Sequence, residues 1–529
     1  MPVSTTYPGV YIEEIPSGVR TVVGVPTSIT AFIGRAVKGP TDDEDPVTIN
    51  SYGDFERMFG GLSLISPMSF AVRDFFLNGG SQAVIVRLYA PVDETHPGIA
   101  LIAADTLNLK AANPGKWGNN LCIRIDYDVS QDIADRYGVT LTDLFNLTVC
   151  DKGTGTIEQF RNLTIIASPA QVDLVLANGS ELIRVDGDLP STPPSKSPDA
   201  TSQTMWDVGN YYTIAPGADV TDGINITSAN FIGGTLQTDK KGLYALEKVD
   251  LFNMLCIPPY TLGGDLNTTV IAAAATYCEA RRAMLLVDPL STWTNKTQAK
   301  TAGAAISTAI GTTSKNAALF FPRISEVNPL RNNQVEDFVP CGAVAGIFAR
   351  TDSQRGVWKA PAGLDATLTG VLGFSVQLTD AENGELNPLG INCLRIRPAA
   401  GPVVWGSRTL QGDDRLASEW KYIPVRRMAL FIEETLYRST QWVVFEPNDE
   451  PLWAQIRLNI GAFMHDLFTK GAFQGTTPKE AYFVKCDKET TTQNDINQGK
   501  VNIVVGFAPL KPAEFVIIKL QQIAGQIQT

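Results

Sequence analysis

The sequence predicts an α+β multidomain fold: a central α/β domain with a mostly β insertion, plus an α+β C-terminal domain with a strand candidate left over at the chain end. Three observations carry that expectation. On both sides of residues 91–234, short apolar runs of strand type alternate with helix-prone segments, the pattern of parallel strands covered by helices. From Pro91 to Gly234 the texture shifts to Asn, Thr, Ser and Gly, with brief β-prone runs between turn signals. After Ala417 two amphipathic helices give way to period-two segments rich in Val, Ile and Phe. A chain of 529 residues is too long for one core and calls for about three or four domains. The expected division is an N-terminal arm (1–26), a discontinuous central α/β domain (27–90 and 235–350), the insertion (91–234), a C-terminal domain (351–508) and a C-terminal arm (509–529).

In chain order, the first arm holds Pro2, Pro8, Pro16 and Pro26 around one short strand candidate, GVYIEEI. It has too few apolar residues to form a core. Such a stretch is either a frayed terminus or a strand paired elsewhere. The β preference of Val10, Tyr11, Ile12 and Ile15, bounded by prolines, favours a donated strand.

The central domain opens with SITAFIGRA as a buried-type strand. TINSYGDFERMFGG then supplies a short helix with Asp54 and Glu56 outward, PMSFAVRDFFLNGG a longer one ending at Gly79, and QAVIVRLY another strand. Within the insertion, LCIRIDYDV, FNLTVCD and ELIRVDG are strand candidates and DGDLPSTPPSKSPDATSQ is a solvated loop. LFNMLCIPP, AMLLVDP and NAALFFPRI resume the strands, separated by the helix-prone TTVIAAAATYCEARR and NKTQAKTAGAAISTAIG, and CGAVAGIFARTD adds a helix. CLRIRP and the polar GSRTLQGDDR loop are expected to open the C-terminal domain.

In that domain, KYIPVRRMALFIEETLYRSTQW places Val425, Met428, Ile432 and Leu436 on one helical face. A second helix follows in NDEPLWAQIRLNIGAFMHDLFTKG: Asp449 caps it, Pro451 fits the first turn, Gly471 stops it, and Leu452, Ile456, Ile460, Phe463 and Leu467 form its stripe. AYFVKC (481–486) and VNIVVGF (501–507) read as a hairpin around a polar loop at 487–500, and EFVIIKLQQI as a third strand beyond Pro509 and Pro512. A strand with no later partner leaves its N–H and C=O groups unpaired.

Composition excludes several classes. A net charge of −12 argues against a general nucleic-acid binder. No apolar run is long enough to span a bilayer, and no basic start with an apolar core opens the chain, so direct membrane insertion is not expected and synthesis belongs in the bacterial cytoplasm. Seven scattered cysteines without CxxC spacing read as free buried thiols.

At this point the residues resemble a known family. KYIPVRRM, FEPND and VGFAPLKPAEFVI, with TYPGVYIEEIPSG, GVPTSITAFIGRAVKGP and FFLNGGSQAVIVRLY near the other end, are similar to contractile tail sheath proteins of contractile-tailed phages, R-type pyocins and extracellular injection systems. The resemblance implies a homo-oligomer of stacked hexameric rings around an inner tube protein, flanked by baseplate and terminator or cap proteins. It implies a metastable extended state whose contraction drives the tube through a target envelope, within a phage tail or injection particle. The family pattern makes Val10, Tyr11, Ile12, Ile15, Phe515, Val516, Ile517 and Ile518 the inter-subunit strand donors. The accepting hairpin is then Tyr482, Val484, Val501, Ile503 and Val505. The insertion would lie on the outside, and the helix carrying Arg457, Asn459, Asp466 and Lys470 would face the tube. A solvated helix face balanced by Glu433 and Glu434 accounts for Arg426, Arg427 and Arg438 as well as tube contact does. A baseplate or tail-cap component of related fold is the alternative.

An enzyme reading rests on Asp288, which ends the strand run of AMLLVDP where parallel sheets commonly hold ligands. No GxGxxG after a strand, GxxxxGK[ST], GxSxG or HExxH motif is present, and the two histidines, His96 and His465, are far apart. No catalytic residue, cofactor or metal is therefore expected. GTGT around Gly153, and Asp219 with Asp222, are explained by turn chemistry.

Overall fold

The computed structural model describes residues 21–93, 95–198, 206–207, 209–214 and 220–519. The GVYIEEI strand candidate, with Val10, Tyr11, Ile12 and Ile15, lies outside the described residues, as does the end of EFVIIKLQQI. The chain forms two compact units, one of residues 28–350 and 361–421 and the other of 351–360 and 422 onward together with the stretch before Ser28.

The larger unit is built on an eight-stranded sheet. Its order is Gly401–Val404, Ile391–Arg397, Ala317–Phe321, Met284–Val287, Met254–Cys256, Thr30–Gly34, Ala83–Arg87 and Val47–Ile49. The inner six strands are parallel and the two outermost pair antiparallel. Apolar runs without alternation suit such strands, because helices cover both faces, and five of the six are buried at every position. Thr30 lies beside Met254, so strands more than two hundred residues apart close the base of the insertion. Ser51 caps helix Tyr52–Phe59, Asn267 caps Thr268–Ala280 and Asn295 caps Lys296–Ala304, each accepting a backbone amide. The helix expected to run through NKTQAKTAGAAISTAIG is interrupted at Ala305, and Ile306–Ile310 forms a separate turn. Gly303, the weakest helix former in that run, sits against Ile391 and Leu389 just before the break.

Residues 361–421 correct the expected division at 351. CLRIRP does not open the C-terminal domain: Leu319 pairs with Ile391 and Phe321 with Cys393, which extends the parallel sheet. The ladder hydrogen bonds of a buried strand outweigh its nearness in sequence to the later helices.

The insertion has a core of its own, with Leu109, Ile123, Phe145, Leu147, Val149 and Leu163 among its buried side chains. An antiparallel sheet in the order Tyr212–Thr213, Leu121–Asp126, Leu144–Asp151 and Thr156–Thr164 accompanies a second of Leu101–Ala104, Leu107–Ala111 and Ile183–Val185. Arg87, at the end of its parallel strand, donates to the carbonyls of Ala36, Gly39, Val37 and Pro114, and burial holds its pKa down at about 10.

The smaller unit packs helix Ile423–Ser439 on helix Glu450–Thr469. Val425, Met428, Ile432, Leu452, Ile456, Ile460, Phe463 and Leu467 are all buried, as their spacing requires. Asp449 accepts from the Leu452 amide at 3.2 Å, Pro451 lies in the first turn, and Gly471 adopts φ +74°. Arg426 and Arg427, however, are buried rather than part of a solvated face. Arg427 grips both carboxylate oxygens of buried Asp352 at 2.7 and 2.6 Å and donates to the Thr27 carbonyl at 2.8 Å, while the Thr27 hydroxyl donates to Asp352 at 2.7 Å. Arg426 pairs with Glu433 at 3.1 Å and Arg438 with Glu434 at 2.6 Å. The Asp352 fork thus joins three stretches distant in sequence. Asp352→Ala leaves a buried guanidinium unpaired and is expected to destabilise this unit by about 3–5 kcal/mol, with Arg427→Met in the same chain recovering most of the loss. Urea unfolding followed by tryptophan fluorescence measures both.

Candidate assembly surface and the Asp288 crevice

The hairpin is an antiparallel two-stranded ladder of Tyr482–Lys485 with Val504–Phe507, in the register Tyr482 to Phe507, Phe483 to Gly506, Val484 to Val505 and Lys485 to Val504. Tyr482, Val484, Val505 and Phe507 pack on the core that holds Leu467 and Phe473. Phe483 and Val504 point away from it and are exposed, the Phe483 ring lying over Gly506. Among the described residues the sheet has only these two strands; just past Phe507 the Gln474 amide donates to the Ala508 carbonyl at 2.9 Å and Phe473 bridges Pro509, which covers the end of that edge, while no further strand pairs along the rest of either edge. Val501 and Ile503 precede the ladder rather than join it, because Asn502 turns its amide to the Thr491 hydroxyl at 3.1 Å. They pack on the same core instead. The polar loop before them contains the short helix Gln493–Asn497, capped by Thr492.

Residues 511–519 adopt no regular structure, so the expected third strand does not form within the chain. Backbone groups make a ladder only against a partner edge, and this tail lies on neither. Phe515, Val516, Ile517 and Ile518 are between 74% and 83% exposed, four consecutive large apolar side chains left in solvent. Just before them the Tyr422 hydroxyl donates to the Glu514 carboxylate at 3.3 Å.

The helix Glu450–Thr469 does not present the expected polar residues as one face. Asn459 is buried on the stripe side, and neither its amide oxygen nor its nitrogen has a partner. Arg457 is tied to the Cys486 carbonyl and to Glu450, the latter at 2.7 Å. Asp466 and Lys470 form an exposed pair at 2.7 Å. Exposed Leu458, and the turn at Phe445 with φ +71° and a fully solvated ring, carry apolar surface that the helical period gave no reason to single out. A bulky residue rarely holds that left-handed conformation.

The Asp288 crevice is lined by Ile257, Pro259, Asp265, Leu266, Asp288 and Leu290 at the carboxyl ends of the parallel strands. One Asp288 oxygen accepts the amide of Cys341, the first residue of helix Cys341–Arg355, at 2.9 Å. The other oxygen is buried without a partner, and burial pushes the carboxyl pKa up to about 7. Asp265 is spoken for by Arg323 at 2.8 Å and by the Ser291 hydroxyl at 2.6 Å. Asp288 therefore caps an orphan amide of a buried helix. At the turn candidates, Asp151 accepts from the Gly153 amide and the Thr154 hydroxyl, and Asp222 from the Lys116 amide; Asp219 lies outside the described residues.

Residues 235–410 match the phage tail sheath protein central domain and residues 417–523 the phage tail sheath C-terminal domain. The chain belongs to the contractile tail sheath family. A putative prophage major tail sheath protein of Pseudomonas aeruginosa (strain UCBPP-PA14) is 28% identical over 174 residues, 32% of this chain and 42% of that relative, so the match spans less than half the relative's length. A chain in the structure of the anti-feeding prophage baseplate, 6-fold symmetrised, is 25% identical with a TM-score of 0.54, covering 98% of this chain and 100% of its own. The same system's helical sheath in the contracted state aligns at a TM-score of 0.55 and 24% identity, covering 98% and 100%. Sheath-family membership accounts for the mixed α/β multidomain architecture without calling on chemistry at Asp288. Among the described residues of this sheath-family chain, no helix is long and apolar enough to cross a membrane.

The raised Asp288 pKa sets a pH dependence. Between about pH 4 and pH 7 the folded state keeps a proton that the unfolded chain releases, so this group's contribution to stability falls as pH rises through that window. Asp288→Asn retains a carbonyl oxygen to cap Cys341 and removes the ionisation. Its unfolding midpoint relative to the parent chain is expected to rise between pH 5 and pH 8, as read by urea titration at each pH.

Proposed function

We propose that the chain is the sheath subunit of a contractile tail or injection system, polymerised through strands exchanged between copies. The observation that carries this is an open two-stranded ladder in the same unit as four solvated residues of high β preference, Phe515 to Ile518. Adding an extended segment to an open edge supplies main-chain hydrogen bonds without a side-chain pocket. The C-terminal donor is Phe515, Val516, Ile517 and Ile518, and the N-terminal donor is the segment of Val10, Tyr11, Ile12 and Ile15. The acceptor edges are those of Tyr482–Lys485 and Val504–Phe507. About five hydrogen bonds per added strand, at about 1 kcal/mol net each, would be joined by about 1.5–3 kcal/mol for each large apolar side chain removed from water. A link around Pro512 would let the folded units move as bodies while pairing persists.

In this reading the copies form stacked six-membered rings around an inner tube protein, held extended until a baseplate signal releases them. New contacts between subunits in the compact state then drive the tube through a target envelope without nucleotide. The exposed part of that helix with Leu458 and the Asp466–Lys470 pair faces the tube. The likeness to a chain of a six-fold baseplate favours a second reading, a baseplate component of the same fold. Length separates the two, because a sheath polymerises and a baseplate ring stops.

Electron microscopy of the full chain, a chain lacking residues 1–15 and the Phe515→Asp/Ile517→Asp variant tests the proposal. Long hollow cylinders are expected from the full chain alone, with both variants falling to rings or single subunits while circular dichroism stays unchanged. Rings from all three favour the baseplate component, and cylinders from all three exclude strand exchange.

A further inference from the structure

The register of the insertion sheet sets two cysteines directly opposite each other, Cys122 against Cys150. Two positions along the same ladder the Lys152 amide donates to the Asn120 carbonyl at 3.0 Å, and the hydrogen-bonding phase of an antiparallel pair repeats every two residues. Cys122 and Cys150 are therefore a hydrogen-bonded pair, with Cα atoms about 5.5 Å apart. That separation falls in the range of roughly 4.4–6.8 Å that a disulfide spans, while the Cβ atoms of a hydrogen-bonded pair sit near the wide end of about 4.5–5.5 Å, beyond the roughly 3.5–4.5 Å of a relaxed disulfide, so the bond would be strained and readily reduced. Opposed residues project from the same face. Here it is the face away from the insertion core, because the alternate residues Ile123, Ile125, Leu147 and Val149 fill that core. Ile157, paired with Cys150 on the next strand, is half exposed. Both cysteines are nonetheless buried, 2% and 5% exposed, so reagent must reach them through a local opening of the residues over them; the Tyr211 hydroxyl, which accepts from Lys152 Nζ at 2.9 Å, contacts the Cys122 thiol. Both sulfurs are free thiols in this structure.

We infer that Cys122 and Cys150 are a modification site, forming a reversible cross-strand disulfide by exchange with a low-molecular-weight disulfide such as oxidised glutathione. One cysteine thiolate attacks the reagent's S–S bond, making a mixed disulfide and expelling one reagent thiolate. The other cysteine then attacks the protein sulfur of that mixed disulfide and expels the second. Two cysteine thiols are oxidised, one reagent disulfide is reduced to two thiols, and the two protons pass to the departing sulfurs. The bond would tie Leu121–Asp126 to Leu144–Asp151 across the helix Gln131–Tyr137 that lies between them in the chain. Burial pushes both thiols above the ordinary cysteine range, so they persist as thiols in a reducing cytoplasm, where exchange is also opposed by the thiol pool. The other five cysteines lie elsewhere in the two units, with Cys256, Cys278, Cys341 and Cys393 inside the larger core and Cys486 inside the smaller.

The test uses the full chain, purified in reductant, freed of it and incubated with oxidised glutathione at about pH 8.5, near the ordinary thiol pKa. Thiol titration after denaturation is expected to fall from seven to five, and peptide mapping to recover one Cys122–Cys150 link that dithiothreitol reverses. C122S and C150S chains are each expected to give no internal link. Seven thiols remaining, a link between any other pair, or glutathione adducts on Cys122 and Cys150 without a bond between them would each overturn the assignment. Mapping of the parent chain needs no variant, so a folding defect in either serine chain does not decide the outcome.

Discussion

Among the described residues no further strand pairs along either edge of the two-stranded ladder, and isolated hairpins are at best marginal in water. Here the inner face of the hairpin is anchored on helix Glu450–Thr469, so the ladder is held ready while its edges stay available. The tail from Phe515 to Ile518 shows the complementary deficiency, with apolar side chains and an unpaired backbone. Each feature alone would be an aggregation hazard. On the function proposed above, they would be the two halves of one joint between copies.

The larger unit solves its backbone problem internally. Its inner parallel strands are covered and flanked at each end by one antiparallel strand, and several buried charges are spent on architecture. Arg87 ties the end of a strand to the 36–39 stretch and to Pro114, Asp288 caps a helix, and Asp265 is held by Arg323 and Ser291.

The sequence disclosed most of what local physics controls. The stripe of the Glu450–Thr469 helix and its Asp449, Pro451 and Gly471 signals were legible because capping and the helical period act within one turn. The buried strands were legible because a covered parallel strand has no polar alternation. What escaped depended on partners far along the chain. Residues 361–421 belong with the sheet because Ile391 meets Leu319, and Arg427 is buried because Asp352 waits 75 residues earlier. Asn459 occupies a stripe position with an unpaired amide, which no periodicity predicts. For Phe515 to Ile518 the β preference led to an expected strand, and the described tail forms none because no edge of its own chain lies beside it.

The measurement that bears most directly on this account is a cryo-electron-microscopy map of the assembled cylinder, traced through residues 482–519 of adjoining copies. Strand exchange predicts continuous density in which Phe515 to Ile518 of one copy lies beside Tyr482–Lys485 or Val504–Phe507 of another, hydrogen-bonded along its length. A tail folded back on its own hairpin, or hairpin edges left bare in the assembled particle, would contradict it.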